Sequence, residues 1–176
     1  MTPDVGWLKD FIRDVPDFPS PGVTFKDITP LLADTGAFRG AVDALAGEFT
    51  AQRVDKVVGI EARGFILAAP VAYRLGVGFV PARKAGKLPW TSEGEAYVLE
   101  YGDDRLEVHA DAVIAGERVL IVDDVLATGG TAEAVLRLID RLGGEVVGLG
   151  FLLELGFLGG RERLPGRHVS SLLSYE

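Results

Sequence analysis

Short apolar runs alternate with amphipathic stretches from residue 56 onward. The apolar runs are rich in Val, Ile and Leu and are too short for ordinary helices, which is typical of buried strands. The stretches between them have helical spacing and end at glycine, a common helix stop. The predicted strands are Lys56–Ile60, Gly78–Ala82, Val119–Val122 and Val146–Leu153, and the predicted helices are Phe65–Leu75 and Thr131–Leu142. Strands that alternate with helices predict an α/β fold with a parallel, doubly wound sheet.

The first 55 residues have a different pattern. Trp7–Asp14 has amphipathic spacing and predicts a short first helix. Phe18–Gly22 carries two prolines, which predict a rigid loop that ends this helix. Phe38–Gln52 predicts a second helix with one apolar stripe. One interpretation of the Pro-rich stretch Phe18–Leu32 is a purely structural wrap around the core.

Residues 86–116 predict a β-hairpin that leaves the α/β alternation. Tyr97–Tyr101 and Arg105–His109 alternate in polarity and flank Gly102–Asp104. The hairpin is either an ornament or a mobile cover over a site, and the Gly, Ser and Glu content of Trp90–Glu95 favours mobility.

Composition and charge exclude several classes of protein. The 176 residues, 48% hydrophobic and 25% charged, predict one domain over residues 1–176. The chain has no cysteine, which excludes disulfides and thiolate zinc sites, and its two histidines, His109 and His168, are too far apart in sequence to suggest a metal cluster. The formal net charge of −8 argues against a nucleic-acid or acidic-membrane binder. Because neither a signal peptide nor an apolar run of about 18 residues is visible, the expected location is the cytoplasm.

An acidic pair and a glycine loop follow the third predicted strand. Asp123 and Asp124 stand where the strand should end, and a loop of small residues then opens into a helix. Glycines let backbone N–H groups approach a phosphate, and a helix N-terminus adds unpaired donors and a positive dipole. The carboxylates need another partner, such as sugar hydroxyls or a hydrated Mg²⁺. The alternative is an ordinary βα turn, which gains nothing from two adjacent acids. The loop residues are Ala127, Thr128, Gly129, Gly130 and Thr131.

This segment resembles the 5-phosphoribosyl-1-pyrophosphate (PRPP) binding motif of the type I phosphoribosyltransferases. The resemblance implies that family's fold, a central parallel sheet flanked by helices with an amino-terminal hood and a flexible β-hairpin loop. It also implies that Asp123 and Asp124 hold the ribose hydroxyls, while the loop from Ala127 to Thr131 binds the 5-phosphate through backbone N–H groups and threonine hydroxyls. Mg²⁺ is expected near Asp123, held through PRPP and water rather than directly by the protein.

Two further stretches are expected to bind pyrophosphate. Arg63 and Gly64 follow the first strand. Taken alone, this arginine is better explained as a surface residue that caps a turn. Its place in the same predicted sheet as the first loop reverses that preference, and the resemblance assigns this stretch to pyrophosphate and suggests a non-proline cis peptide near Glu61-Ala62. Lys84 and Lys87 follow the second strand, where the alternative is a solvated basic turn. Family members often place an arginine such as Arg83 across a dimer interface.

The segment Phe18–Leu32 resembles the hood of family members that act on adenine. The resemblance implies that Phe25 packs on the purine and that backbone groups of Thr24 and Lys26 read its Watson–Crick edge. Ala127 replaces the aspartate common in relatives that use 6-oxopurines, which disfavours hypoxanthine and guanine. In the hairpin, Glu100 is the expected proton handler, aided by Tyr101.

The resemblance therefore implies Mg²⁺-dependent transfer of the phosphoribosyl group from PRPP to N9 of adenine, giving AMP and pyrophosphate. The hood is assigned to residues 1–34 and the mobile hairpin to residues 86–116. A homodimer is implied by resemblance alone. Apolar Leu31, Leu32 and Phe157 are candidates for its interface, and core packing is the alternative for all three. Two alternatives remain: a transferase for another purine, and a PRPP-binding regulator, which would need an added basic DNA-binding domain.

Overall fold

The computed structural model describes residues 5–99 and 102–176. Nine strands and four α-helices lie in this part of the chain, together with short 3-10 helices at Gly6–Phe11, Gly156–Leu158 and Gly160–Arg163. The strands are β1 Arg13–Val15, β2 Phe25–Asp27, β3 Lys56–Ile60, β4 Gly78–Lys84, β5 Ser92–Leu99, β6 Gly102–His109, β7 Arg118–Leu126, β8 Glu145–Leu155 and β9 Val169–Tyr175. The helices are α1 Thr29–Ala33, α2 Thr35–Phe49, α3 Gly64–Leu75 and α4 Gly130–Arg141.

The main sheet has seven strands in the order β5-β6-β4-β3-β7-β8-β9. Strands β4, β3, β7, β8 and β9 run parallel, and the β5–β6 hairpin is attached antiparallel along β4. Strands β1 and β2 form a separate antiparallel pair. Because the five parallel strands share a direction, their carboxyl ends meet at one edge, where open α/β sheets bind ligands.

Two apolar clusters cover the two faces of the sheet. On one face α4 packs through residues such as Leu138 on Val58 and Ile121. On the other, α2 and α3 pack through residues such as Phe49 on Val57 and Leu120. Neighbouring strand residues thus serve opposite faces, as the period of two in a strand requires. The prediction of a parallel sheet with helices on both faces is confirmed.

Several predicted boundaries need correction. The helix predicted for Trp7–Asp14 is wrong beyond Phe11, because Arg13–Val15 pairs with β2 instead. Helix α2 begins at Thr35, three residues earlier than predicted, since the Asp34 carboxylate accepts the Ala37 N–H at 2.8 Å and caps it. Residues Gly102–Asp104 were predicted between the hairpin strands, but they belong to β6, where Gly102 pairs with Leu99.

The strand of the acidic pair is longer than predicted. Strand β7 continues through both aspartates to Leu126, because β8 keeps pairing with it as far as Leu126 opposite Glu154. Strand β9 and helix α1 were not predicted at all. Among the described residues, no helix combines the length and apolar character needed to cross a bilayer.

Candidate active site

The small-residue loop joins the end of β7 to the first turn of α4. Gly129 is buried and has a φ of 82°, a left-handed conformation that favours glycine. It precedes α4, and no side chain caps the helix there, so the first N–H groups of α4 are left for another acceptor. A small cavity of about 60 Å³ lies against this loop and is lined in part by Thr128, Gly129 and Thr131. We call residues 127–131 the phosphate loop, since this geometry suits an anion.

The acidic pair is packed tightly beneath the loop. Asp124 is only 5% exposed, and its backbone N–H donates to the Asp123 carboxylate at 2.9 Å. A Cβ at position 64 would lie 2.6 Å from the same carboxylate, so Gly64 lets α3 begin directly against the pair. Burial and the neighbouring Asp124 charge raise the pKa of Asp123 well above its ordinary value. The Asp123 carboxylate can therefore accept hydrogen bonds, and no neighbouring cation among the described residues fully compensates its negative charge.

Arg63 links the acidic pair to the amino-terminal segment. Its Nε atom lies 2.8 Å from Oδ2 of Asp124, and its guanidinium lies 5.0 Å from the ring centre of Phe25. The peptide bond between Glu61 and Ala62, just before it, is cis, as the family resemblance implied. Arg63 is thus an anchored part of the site rather than a free surface arginine.

Glu61 contacts the three basic residues that follow or end β4, Arg83, Lys84 and Lys87, which we call the basic turn. Its carboxylate accepts the Lys84 backbone N–H at 2.8 Å and lies 3.5 Å from Arg83 Nε and 3.6 Å from Lys87 Nζ. Partial burial acts to raise the pKa of Glu61, but this hydrogen bond and the two cations outweigh it and lower the pKa below its ordinary value. The basic residues are therefore held at the same sheet edge as the acidic pair.

Lys84 reaches from the basic turn to the hairpin. Its Nζ lies 3.1 Å from Oδ2 of Asp104, which also accepts the Tyr97 hydroxyl at 3.1 Å. Burial, followed by the Asp104 charge, raises the pKa of Tyr97 to about 12, so the hydroxyl stays protonated and donates. Thr131 of the phosphate loop also contacts this hydroxyl. Tyr97 therefore connects the hairpin, the basic turn and the phosphate loop.

The hood places an aromatic ring over the sheet edge. Phe25 packs edge-on against Phe18, with ring centres 5.2 Å apart. Lys26 is fixed by Asp14 at 2.6 Å and by the ring of Tyr175, whose centre lies 4.2 Å from Nζ. The β1–β2 pair is therefore tied to the carboxyl-terminal strand as well as to Arg63.

One cavity of about 460 Å³ lies between the hood, the acidic pair and the phosphate loop. It brings together most of the side chains singled out from the sequence. The predicted residues on its wall are Thr24, Phe25, Lys26, Arg63, Asp123, Asp124, Ala127 and Thr131. A larger opening of about 550 Å³ near Glu154 and Arg161 contains none of them, so the smaller cavity is the better candidate for chemistry.

The chain matches the model of the phosphoribosyl transferase domain over residues 31–165. Among curated proteins, an adenine phosphoribosyltransferase of Acidothermus cellulolyticus is 63% identical over 171 residues, which cover 97% of each chain. An adenine phosphoribosyltransferase of Anaeromyxobacter sp. strain Fw109-5 is 62% identical over 164 residues, 93% of each chain.

The chain belongs to the adenine phosphoribosyltransferase family.

Solved structures of this family share the fold. The crystal structure of the Thermoanaerobacter pseudethanolicus protein superposes with a TM-score of 0.94 at 51% identity, covering 97% of this chain and 99% of that one. The Saccharomyces cerevisiae protein, complexed with an imino-altritol bisphosphate and adenine, gives 0.92 at 40% identity, covering 98% and 100%. The Trypanosoma brucei protein, in complex with AMP, pyrophosphate and ribose-5-phosphate, gives 0.89 at 26% identity, covering 98% and 80%. The predicted type I phosphoribosyltransferase fold is confirmed.

Some predicted residues lie away from the main cavity or outside the described chain. Thr128 and Gly129 line the smaller cavity, and Gly130 begins α4. Lys84 and Lys87 lie at the Glu61 end of the site. Glu100 and Tyr101, which the sequence analysis expects to handle the proton, fall outside the described residues.

Sequence reasoning missed several members of the site. Val23, Val125 and Leu155 form apolar wall, while Tyr97 and Glu61 add polar groups. Tyr97 lies on the buried side of a hairpin strand that its alternating polarity already predicted. The same alternation could therefore have indicated that Tyr97 is buried. No pattern could single out Leu155, because it reaches the cavity only through the long pairing of β7 with β8.

Proposed function

We propose that this protein transfers the 5-phosphoribosyl group of PRPP to N9 of adenine and releases AMP and pyrophosphate, a step of purine salvage. The observation that carries this proposal is the 460 Å³ cavity, where an aromatic hood, a buried acidic pair and the phosphate loop converge. The family supports it, since relatives that share the fold were crystallised with AMP, pyrophosphate, ribose-5-phosphate or adenine.

The phosphate loop and the acidic pair would hold the ribose 5-phosphate. The N–H groups from Ala127 to Thr131 suit phosphate oxygens, and the threonine hydroxyls add donors. Asp123 and Asp124 supply acceptors for the ribose hydroxyls. The raised pKa of Asp123 suits this role, because a carboxylate without a full partner gains most from hydroxyl donors.

The pyrophosphate would lie near Arg63, Lys84 and Lys87. Their carboxylate partners hold these cations at one edge in advance, which reduces the ordering needed on binding. As the C1–oxygen bond breaks, these charges stabilise the negative charge that develops on the leaving group.

Mg²⁺ fits the acidic side chains of this site only if it is bound together with the substrate. Among residues 5–99 and 102–176, no group of three or more acidic or histidine side chains could hold a metal ion. Asp123 and Asp124 would instead hold Mg²⁺ through water, with PRPP oxygens as its other ligands. When bound, the ion neutralises charge on the leaving pyrophosphate.

The hood would select the base. Phe25 offers a ring face for stacking, and the backbone groups of Thr24 and Lys26 would read the Watson–Crick edge. Ala127, which lines the same cavity, presents no carboxylate, and this favours adenine over hypoxanthine and guanine.

The reaction then needs a proton acceptor and the exclusion of water. N9 of adenine attacks C1 on the face opposite pyrophosphate through an oxocarbenium-like state, and the N9 proton passes to a base. We assign this role to Glu100, with Tyr101 assisting, and Arg63 acts at the leaving group. The hairpin over residues 86–116 would close over the site, since water would otherwise hydrolyse PRPP.

We also propose a cytoplasmic homodimer. Helix α3 and strand β4 expose neighbouring apolar side chains, with Ile66 43%, Tyr73 88% and Phe79 37% exposed. A second copy would cover them. Of the interface candidates taken from sequence, Leu31 is fully buried, which supports the alternative of core packing for this residue. Phe157 is 63% exposed and stays a candidate.

The test is AMP formation from adenine and PRPP with Mg²⁺, followed by chromatography. The proposal expects stoichiometric AMP and pyrophosphate, with loss of turnover in Asp124→Asn and in Glu100→Gln. PRPP binding without AMP formation would instead favour the regulator.

A further inference from the structure

The phosphate loop is packed against a carboxyl-terminal segment through backbone alone. A Cβ added to the buried Gly160 would overlap the Ala127 carbonyl oxygen and lie 3.0 Å from the Gly129 nitrogen. A Cβ added to Gly129 would in turn overlap the Gly160 carbonyl oxygen. Neither position has room for one methyl group. We call the segment Gly159–Leu164 the brace.

Salt bridges tie the brace to strand β8 and to helix α4. The Arg161 guanidinium donates to both oxygens of Glu154, at 2.9 Å for Nε to Oε1, and to the Val169 carbonyl at 2.8 Å. This hydrogen bond from Arg161 is the main cause of the lowered pKa of Glu154, a buried residue of β8. Arg163 Nη1 lies 3.5 Å from the carboxylate of Glu133, in the first turn of α4.

The core fixes the far end of the brace. Leu164 is 2% exposed and belongs to the apolar cluster that α4 covers. Its N–H donates to the Arg161 carbonyl at 3.0 Å, which closes the short 3-10 helix. The brace is therefore anchored within its turn by Arg161 and Arg163 and after it by Leu164, independently of its contact with the phosphate loop.

This packing bears on the direction of the loop N–H groups. The Ala127 carbonyl oxygen faces the brace at Gly160. In a planar trans peptide the next N–H points to the opposite side, so the Thr128 N–H points away from the brace. A rotated peptide would present a carbonyl oxygen to the anion, which repels it.

We propose that Gly160 is a positioning residue for the 5-phosphate: it holds the Ala127 peptide so that the loop N–H groups face the phosphate. The inference rests on the proposed function for the identity of the substrate, but it concerns a residue that lies outside the cavity wall. It predicts a selective effect on the phosphate end of the substrate, whereas simple core packing predicts a general loss of stability.

The test compares Gly160→Ala with Gly47→Ala. Gly47 is exposed in α2 with no heavy atom within 4 Å of an added Cβ, so it controls for the change of glycine itself. Isothermal titration with ribose 5-phosphate measures binding without turnover, and so is independent of which base the enzyme uses. We expect affinity to fall at least about tenfold in Gly160→Ala and less than twofold in Gly47→Ala, with KM for PRPP raised and KM for adenine changed less than threefold.

Two results would overturn the inference. One is a folded Gly160→Ala protein that binds ribose 5-phosphate as well as wild type. The other is a parallel rise of both KM values, which indicates general loosening of the site. If wild type binds ribose 5-phosphate but makes no AMP, the proposed function fails, and the titrations still decide whether Gly160 positions the loop for phosphate.

A second variant covers the case in which Gly160→Ala does not fold. Arg161→Ala removes the tie to Glu154 without adding volume, and Arg161→Lys keeps a charge and one donor. We expect Arg161→Ala to weaken ribose 5-phosphate binding at least about fivefold and Arg161→Lys to restore part of it. Arg39→Ala, an exposed arginine on α2, is the matched control. Equal binding by Arg161→Ala and Arg39→Ala would contradict the proposal.

Discussion

Arg63 Nε lies 2.8 Å from Oδ2 of Asp124, and the same guanidinium lies under the ring of Phe25. One side chain, itself assigned to pyrophosphate, therefore contacts the group assigned to ribose and the group assigned to the base. The cation also compensates a carboxylate that is 5% exposed, which links binding to stability.

Replacing Arg63 is expected to damage both properties. In Arg63→Ala the Asp124 carboxylate loses its cation, and a buried partner left alone costs about 1–3 kcal/mol of unfolding free energy. We expect kcat/KM for PRPP to fall about 100-fold, or about 3 kcal/mol. Steady-state kinetics and thermal unfolding measure the two effects, with Arg39→Ala as control. An unchanged kcat/KM would contradict the role of Arg63.

Asp123 is expected to lower the stability of the free enzyme. Because its folded pKa is raised, ionisation disfavours the native state above the unfolded pKa, near 3.8, and the penalty grows with pH up to the folded value. Asp123→Asn should therefore raise the Tm at pH 7, by about 2–4 °C per kcal/mol relieved. The gain should vanish below about pH 4.

Asp124→Asn is the matched comparison, since it breaks the Arg63 pair and should lower the Tm. Both variants should lose activity. A lower Tm for Asp123→Asn at pH 7 would show that the Asp123 carboxylate stabilises the free enzyme, which is the opposite of the expected effect.

Phe25 is expected to act on adenine and not on PRPP. Loss of an aromatic stacking partner corresponds to about 0.5–1.5 kcal/mol, so Phe25→Ala should raise KM for adenine by up to about tenfold. KM for PRPP should change less than threefold. Phe157→Ala removes a similar ring that is 63% exposed and outside the cavity, and it should leave both values unchanged. Equal effects of the two variants would remove Phe25 from the base site.

Glu61 is expected to hold the basic turn through its charge. Its folded pKa is lowered, so its contribution is present above the unfolded value of 4.5 and is lost as the pH falls through the folded value. Glu61→Gln should keep an acceptor for the Lys84 N–H but lose the attraction of Arg83 and Lys87. Chemical denaturation at pH 7 and pH 3 should therefore show a stability difference from wild type that shrinks in acid. A difference independent of pH would point to packing rather than charge.

The parallel core followed from sequence because its signals are local. The strand Lys56–Ile60 matched its predicted bounds, and Gly76 ended α3 in the expected left-handed conformation. The phosphate loop was visible for the same reason, since its acids, glycines and helix are contiguous. Arg63 could be assigned to the site only through its place in the same predicted sheet as that loop, because an isolated arginine after a strand is ordinary.

The features that sequence could not predict depend on pairing between residues far apart in the chain. Asp123 and Asp124 were placed at a strand end, yet β8 extends the strand past them to Leu126. Arg13–Val15 looked helical until paired with β2. The role of Gly160 depends on contact with residues more than 30 positions earlier, which no periodicity reveals.

Pyrophosphate release from PRPP and Mg²⁺, with adenine, hypoxanthine, guanine and xanthine compared side by side, tests the proposed transfer and its base together. We expect release with adenine and background release with the other three bases. Preferential release with hypoxanthine, guanine or xanthine would contradict the assignment of the hood and of Ala127, and no release with any base would contradict the proposed transfer itself.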